Sequence, residues 1–154
     1  MSLAVAAVVV PPADTTPPEA LLRLDPHGRT AVATGRDPDG GVARVRVSIE
    51  ERVSCRNMLT GERSRVRRIR YFPPPAIARV KVTPGTRLPA ERRRSAALPI
   101  AGDPCPGSSV DRIEGSVRAD VTNAHELEAS SPSRRYTRRP LLQTLLDVLL
   151  WISP

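Results

Sequence analysis

A chain of 154 residues is the size of one domain with short tails, and its 40% hydrophobic share with only 3% aromatic residues means that any core rests on Val, Ala, Leu and Ile. The 17 prolines exclude long helices between Asp14 and Pro140, because proline inside a helix removes a hydrogen bond and clashes with the preceding turn. The formal charge of +8 is almost wholly arginine, Lys81 being the only lysine, so charge alone admits a polyanionic partner, while a solvated arginine-rich face is the plainer explanation.

The segment 1–14 opens with an apolar run that Pro11 and Pro12 close, the shape of the hydrophobic region of a secretory signal without its basic flank. A truncated signal and a plain leader are equally compatible with it. A body of sandwich strands is expected over 15–137, beginning with a weak run at 21–24 and a β-prone run at 30–34. Asp37-Pro-Asp-Gly-Gly41 then supplies turn chemistry, its glycines accepting positive φ without steric cost.

The clearest element follows. Ala43, Val45, Val47, Ile49, Val53 and Cys55 alternate with Arg44, Arg46, Ser48, Glu50, Arg52 and Ser54, and a period of two predicts a half-buried strand. Glu51 interrupts the apolar set, which predicts a bulge or a position at the sheet rim. A turn at 57–61 and a return strand at 65–72 carrying Val66, Ile69 and Tyr71 make this a hairpin, ended by the prolines at 73–75. Further strands are expected at 78–82, at 96–100, at 117–121 and at 127–136, with 87–94 open between a loop and one helical turn. That gives about eight short strands, the pattern of an all-β sandwich or barrel.

Thr15-Thr-Pro-Pro18, the stretch Ala33-Thr-Gly-Arg-Asp-Pro-Asp-Gly-Gly-Val-Ala43, Val45-Arg-Val47 and Ala119-Asp-Val-Thr-Asn-Ala124 together resemble the bacterial immunoglobulin-like and fibronectin type III-like modules of extracellular proteins. The resemblance implies an immunoglobulin-like antiparallel β-sandwich in a secreted or cell-surface setting. It implies adhesion, spacing or protein interaction rather than catalysis, since such modules serve as spacers, adhesin segments, glycan-binding accessories or enzyme appendages. In such a module Cys55 and Cys105, the only cysteines, are candidates for one disulfide.

Sites of chemistry are sparse. His27 and His125 have no partner in a recognisable triad or metal spacing, and adjacent Glu50 and Glu51 face opposite sides of a strand and make no glycosidase pair. Asp14, Asp37 and Asp39 suit turn formation better than a calcium loop, and no phosphate-binding glycine loop occurs, so neither cofactor nor metal is expected. The distinctive feature is arginine at 44, 46 and 52 on one strand and at Arg65, Arg67, Arg68 and Arg70 on its partner, a candidate positive face for an anionic cell-wall polymer or polysaccharide. Protection of the sheet from aggregation is the competing account. Specific nucleic-acid binding is not expected, because only Tyr71 and Phe72 adjoin the cluster as stacking groups.

In the closing segment 138–154 a basic linker leads into an amphipathic helix from Pro140, too short at about 13 residues to cross a bilayer that needs ~20. Leu141, Leu145, Leu149 and Trp151 are its candidate contacts with a partner, with the sandwich edge or with a membrane surface.

Overall fold

The computed structural model describes residues 14–75, 85–140 and Leu149. Its strands are β1 (Glu19–Leu24), β2 (Thr30–Arg36), β3 (Val42–Arg56), β4 (Arg63–Phe72), β5 (Glu91–Ala97), β6 (Ser109–Asn123), β7 (Glu128–Ser130) and β8 (Arg134–Arg138). All pairings are antiparallel. One sheet has the order β1-β2-β5, the other β4-β3-β6-β7 with β8 also on β6, and the two pack face to face as a sandwich. The expected leader, the strand at 78–82 and most of the C-terminal helix, including Leu141, Leu145 and Trp151, lie outside the described residues.

The alternation read along β3 is realised in its burial. Val45, Val47, Ile49, Val53 and Cys55 are buried, and across β6 they meet Ile113, Val117, Ala119 and Val121. The smaller sheet contributes Leu22, Ala31, Ala33 and Ala96 to the same core. These small side chains let the sheets approach without aromatic layers, and among the described buried core residues only Tyr136 carries a ring.

Several sequence expectations need correction. Glu51 occupies no bulge and no rim: it is 0% exposed in regular register with Arg68 and Gly115, and the register shifts of β3 fall between Val42 and Arg44 and between Ser54 and Cys55. The ambiguous 87–94 stretch enters the edge strand β5, which begins at Glu91 and ends at Ala97, so the strand expected at 96–100 is displaced toward the N-terminus. The single run expected at 127–136 is two strands, because Ser131-Pro132-Ser133 interrupts it. Ser131 closes the gap itself: its N–H donates to the Ala119 carbonyl at 2.8 Å and its hydroxyl accepts from the Ala119 N–H at 3.0 Å.

Glu51 is tolerated in the core because donors from three other parts of the chain meet its carboxylate. Arg68 donates from Nε and Nη2 to its Oε2 at 3.1 and 2.7 Å, while the Ile100 N–H and the Tyr136 hydroxyl donate to its Oε1 at 2.7 and 2.5 Å. One carboxylate thus joins β3, β4, β8 and the segment after β5. A buried charge with all its hydrogen-bond sites used is the arrangement that offsets its desolvation. The Tyr136 ring fits there because Gly115 has no side chain; a Cβ at Gly115 would overlap the ring. Beside this network Cys55 and Cys105 form a buried disulfide, with their Cα atoms 5.7 Å apart, tying the end of β3 to the β5–β6 loop.

Candidate functional site

The outer face of the larger sheet is built by the positions that the core does not claim. Registers place Arg44, Arg46, Ser48, Glu50, Arg52, Ser54 and Arg56 of β3 between Arg63, Arg65, Arg67, Ile69 and Tyr71 of β4 and Ser109, Arg112, Glu114, Ser116, Arg118, Asp120 and Thr122 of β6. Arg135 joins from β8, opposite Ser116, and Glu128 from β7, opposite Thr122. Strand geometry therefore concentrates arginine on one side of the molecule, where it outnumbers the carboxylates.

Part of this charge is neutralised within the face. Arg67 pairs with Glu50 at 2.8 Å, Arg112 with Glu114 at 2.7 Å, Arg118 with Asp120 at 3.0 Å, and Arg44 approaches Glu128 at 3.6 Å. The Arg67 hydrogen bond holds the Glu50 carboxyl below the usual range. Burial pushes Asp120 up, but hydrogen bonds from Ser130 and Ser48 and the Arg118 guanidinium outweigh it and hold the carboxyl below its ordinary value. Arg46 lies 5.8 Å from the Tyr71 ring centroid, within cation–π range.

The remainder is not neutralised. Among the described residues Arg56, Arg63, Arg65 and Arg135 make no ion pair with a carboxylate, and Arg52 makes no direct one, although it stands opposite Glu114 and its charge acts on Glu50. Arg52 stands directly opposite Arg67, and Arg56 directly opposite Arg63. Like charges in register across a strand pair are destabilising. Toward β8 the face dips into an open groove of about 520 Å³ bounded by Arg52, Arg112 and Arg135 with Glu50 and Glu114.

Of the arginines singled out from sequence, 44, 46, 52, 65 and 67 share this face. Arg68 does not: it turns inward onto Glu51 and also donates from Nη1 to the Gly102 carbonyl at 3.1 Å. Arg70 stands opposite Ile49 on the inward-facing side of β4, although it is exposed there. Sequence reasoning misses Arg56, Arg63, Arg112, Arg118 and Arg135. The even-numbered positions of β3 continue the outward set to Arg56, but assignment of the β6 arginines needs the register.

The other candidates separate. His27 borders a cavity of about 450 Å³ with Arg29, Leu98, Ile113 and Arg138, whereas His125 is exposed in the turn at the far end of β6. Asp37 accepts from the Asp39 and Gly40 N–H groups at 3.2 and 2.7 Å, as expected for a turn, and its second oxygen accepts from Asn123 Nδ2 at 2.9 Å. Asp14 approaches the same Asn123 nitrogen at 3.4 Å. Among the described residues no group of three or more His, Cys, Asp or Glu side chains is arranged to hold a metal ion. Leu149 is exposed. Comparison with protein-family models, curated proteins and solved structures gave no match to this chain.

Proposed function

We propose that this chain is a non-catalytic, immunoglobulin-like binding module of an oxidising, extracytoplasmic compartment, and that it engages anionic cell-wall polymers or polysaccharides through the outer face of its larger sheet. The observation that carries the reading is the cluster of arginine without ion pairs at the far end of the β3–β4 pair, with Arg56 directly opposite Arg63 and Arg65 beside them. Such an arrangement costs stability in the free protein, and a polyanion lying across it relieves that cost. A solubility device would be served as well by mixed charge.

The immunoglobulin-like assignment is supported by strand order. Lettered in chain order as A, B, C, C′, E, F and G, with β7 and β8 sharing the last place, the strands put A, B and E in one sheet and C, F and G in the other. The exported setting is supported by the buried disulfide, a bond that persists in oxidising compartments.

The test uses heparin as a model sulfated polysaccharide. The intact chain should bind with an affinity that falls steeply with salt. Replacing Arg52, Arg56, Arg63 and Arg65 by serine should flatten the salt dependence by about one unit of slope for each arginine–sulfate pairing removed. Arg70→Ser, on the other side of β4, should leave it unchanged. Equal effects from Arg70 and from the outer-face set would refute a face-specific site, as would absence of binding at low salt.

A further inference from the structure

The hairpin joining β3 to β4 ends in an apolar tip. Met58 is 66% exposed and Leu59 97% exposed. Their positions are set by a closed turn: Asn57 Oδ1 accepts from the Leu59 and Thr60 N–H groups at 2.9 and 3.1 Å, and Asn57 N–H donates to the Glu62 carbonyl at 2.8 Å. Gly61, at φ +71°, donates to the Asn57 carbonyl at 2.8 Å and supplies the left-handed residue the reversal needs. The two apolar side chains are therefore presented to water by a formed backbone network.

Behind the tip the hairpin is cationic. Arg56 and Arg63 face each other in the last register pair, Arg65 follows opposite Ser54, and Glu62 is the one carboxylate of the turn. The disulfide at Cys55 secures the base. We propose that this tip inserts into an anionic lipid surface, Met58 and Leu59 entering the acyl boundary while Arg56, Arg63 and Arg65 lie level with the phosphates. Strand residues advance ~3.4 Å each, so the Arg56–Arg63 pair sits roughly 7–10 Å behind the tip, which matches the ~5–10 Å depth of interfacial insertion. Two apolar residues are too few for the core of a stable protein interface, which buries on the order of 1,200 Å² or more, but they are enough to add to an electrostatic membrane contact.

The electrostatic half of this inference rests on the polyanion-binding reading; the apolar half does not. The full chain is sedimented with vesicles of phosphatidylcholine alone and with vesicles of phosphatidylcholine and phosphatidylglycerol in equal parts, and heparin affinity is measured in parallel. Binding is expected on the anionic vesicles. The double variant Met58→Ser, Leu59→Ser should weaken it about tenfold or more, with heparin affinity unchanged. Replacing Arg56 and Arg63 by serine should weaken vesicle binding by roughly fivefold per arginine and heparin binding with it.

Both tip residues are exposed, so the double variant should melt as the parent does, and this is checked in the same samples. Vesicle binding that survives the tip substitutions overturns the inference and assigns the contact to another part of the chain. Heparin binding without vesicle binding overturns it while leaving the polyanion reading intact. Binding to neither overturns both.

Discussion

Replacement of Glu51 by alanine isolates the energetics of the buried network. The glutamate side chain is wholly enclosed and Arg68 is only 15% exposed, so the substitution strands a guanidinium in a nearly dry site and leaves the Ile100 N–H and the Tyr136 hydroxyl without their acceptor. Breaking a buried pair by removing one partner costs about 3–5 kcal/mol, a large part of the ~5–15 kcal/mol that holds a typical domain together. For a domain of this size that corresponds to a fall in Tm of roughly 10–20 °C. Urea unfolding at neutral pH measures it, and a second curve for Glu51→Leu with Arg68→Met completes the test. Removing both charges should recover part of the loss, leaving mainly the two orphaned donors, at about 1 kcal/mol each. A loss below about 1 kcal/mol for Glu51→Ala would refute the argument, because deleting a fully desolvated charge hub cannot have so small an effect.

Three further outcomes are expected. Burial, and after it the hydrogen bond to Glu51, raises the Tyr136 phenol above its ordinary value; stability should therefore be intact below the unfolded phenol's pKa near 10 and decline as pH rises above it, by up to about 1.4 kcal/mol per pH unit, and Tyr136→Phe should abolish that component in unfolding measured across alkaline pH. Reduction of the Cys55–Cys105 bond, whose partners are 50 residues apart, should lower stability by about 4 kcal/mol in the chain-entropy model, read as a shift in denaturant midpoint with and without reductant; an unchanged midpoint would show that the cross-link does not restrict the unfolded chain. Gly115→Ala should cost about 3 kcal/mol or more because the new methyl meets the Tyr136 ring, whereas Gly61→Ala, in open space at positive φ, should cost about 1 kcal/mol, and comparable thermal shifts for the two would contradict the packing described.

What is legible in the sequence follows the strength of the period-two signal. β3 buries one side almost throughout, so its alternation marks it to within a residue at each end. β5 reads Glu-Arg-Arg-Arg-Ser-Ala-Ala and buries only Ala96, so as an edge strand it carries no alternation to detect. β6 is legible only around 117–121, because Gly115 and the polar residues preceding it conceal a strand whose inner positions are filled by the ring of Tyr136 and by Ile113. Glu51 misleads for a related reason: a lone charge in an apolar series resembles a defect until three other parts of the chain are seen to converge on it. The arginine face is half legible, since alternation sorts residues within one strand, while the sides taken by Arg67 and Arg68 depend on where β4 falls against β3.

The interruption at Ser131-Pro132-Ser133 bears on association between copies. An uninterrupted final strand would leave a long row of free backbone donors and acceptors at the sheet margin, a template on which a second molecule could zip. Dividing that margin into β7 and β8, with a proline that has no N–H to offer and a serine whose side chain and backbone are both engaged by Ala119, leaves only fragments too short to nucleate pairing. On this side the described strands therefore offer a second molecule less continuous backbone to pair with than one long edge strand would.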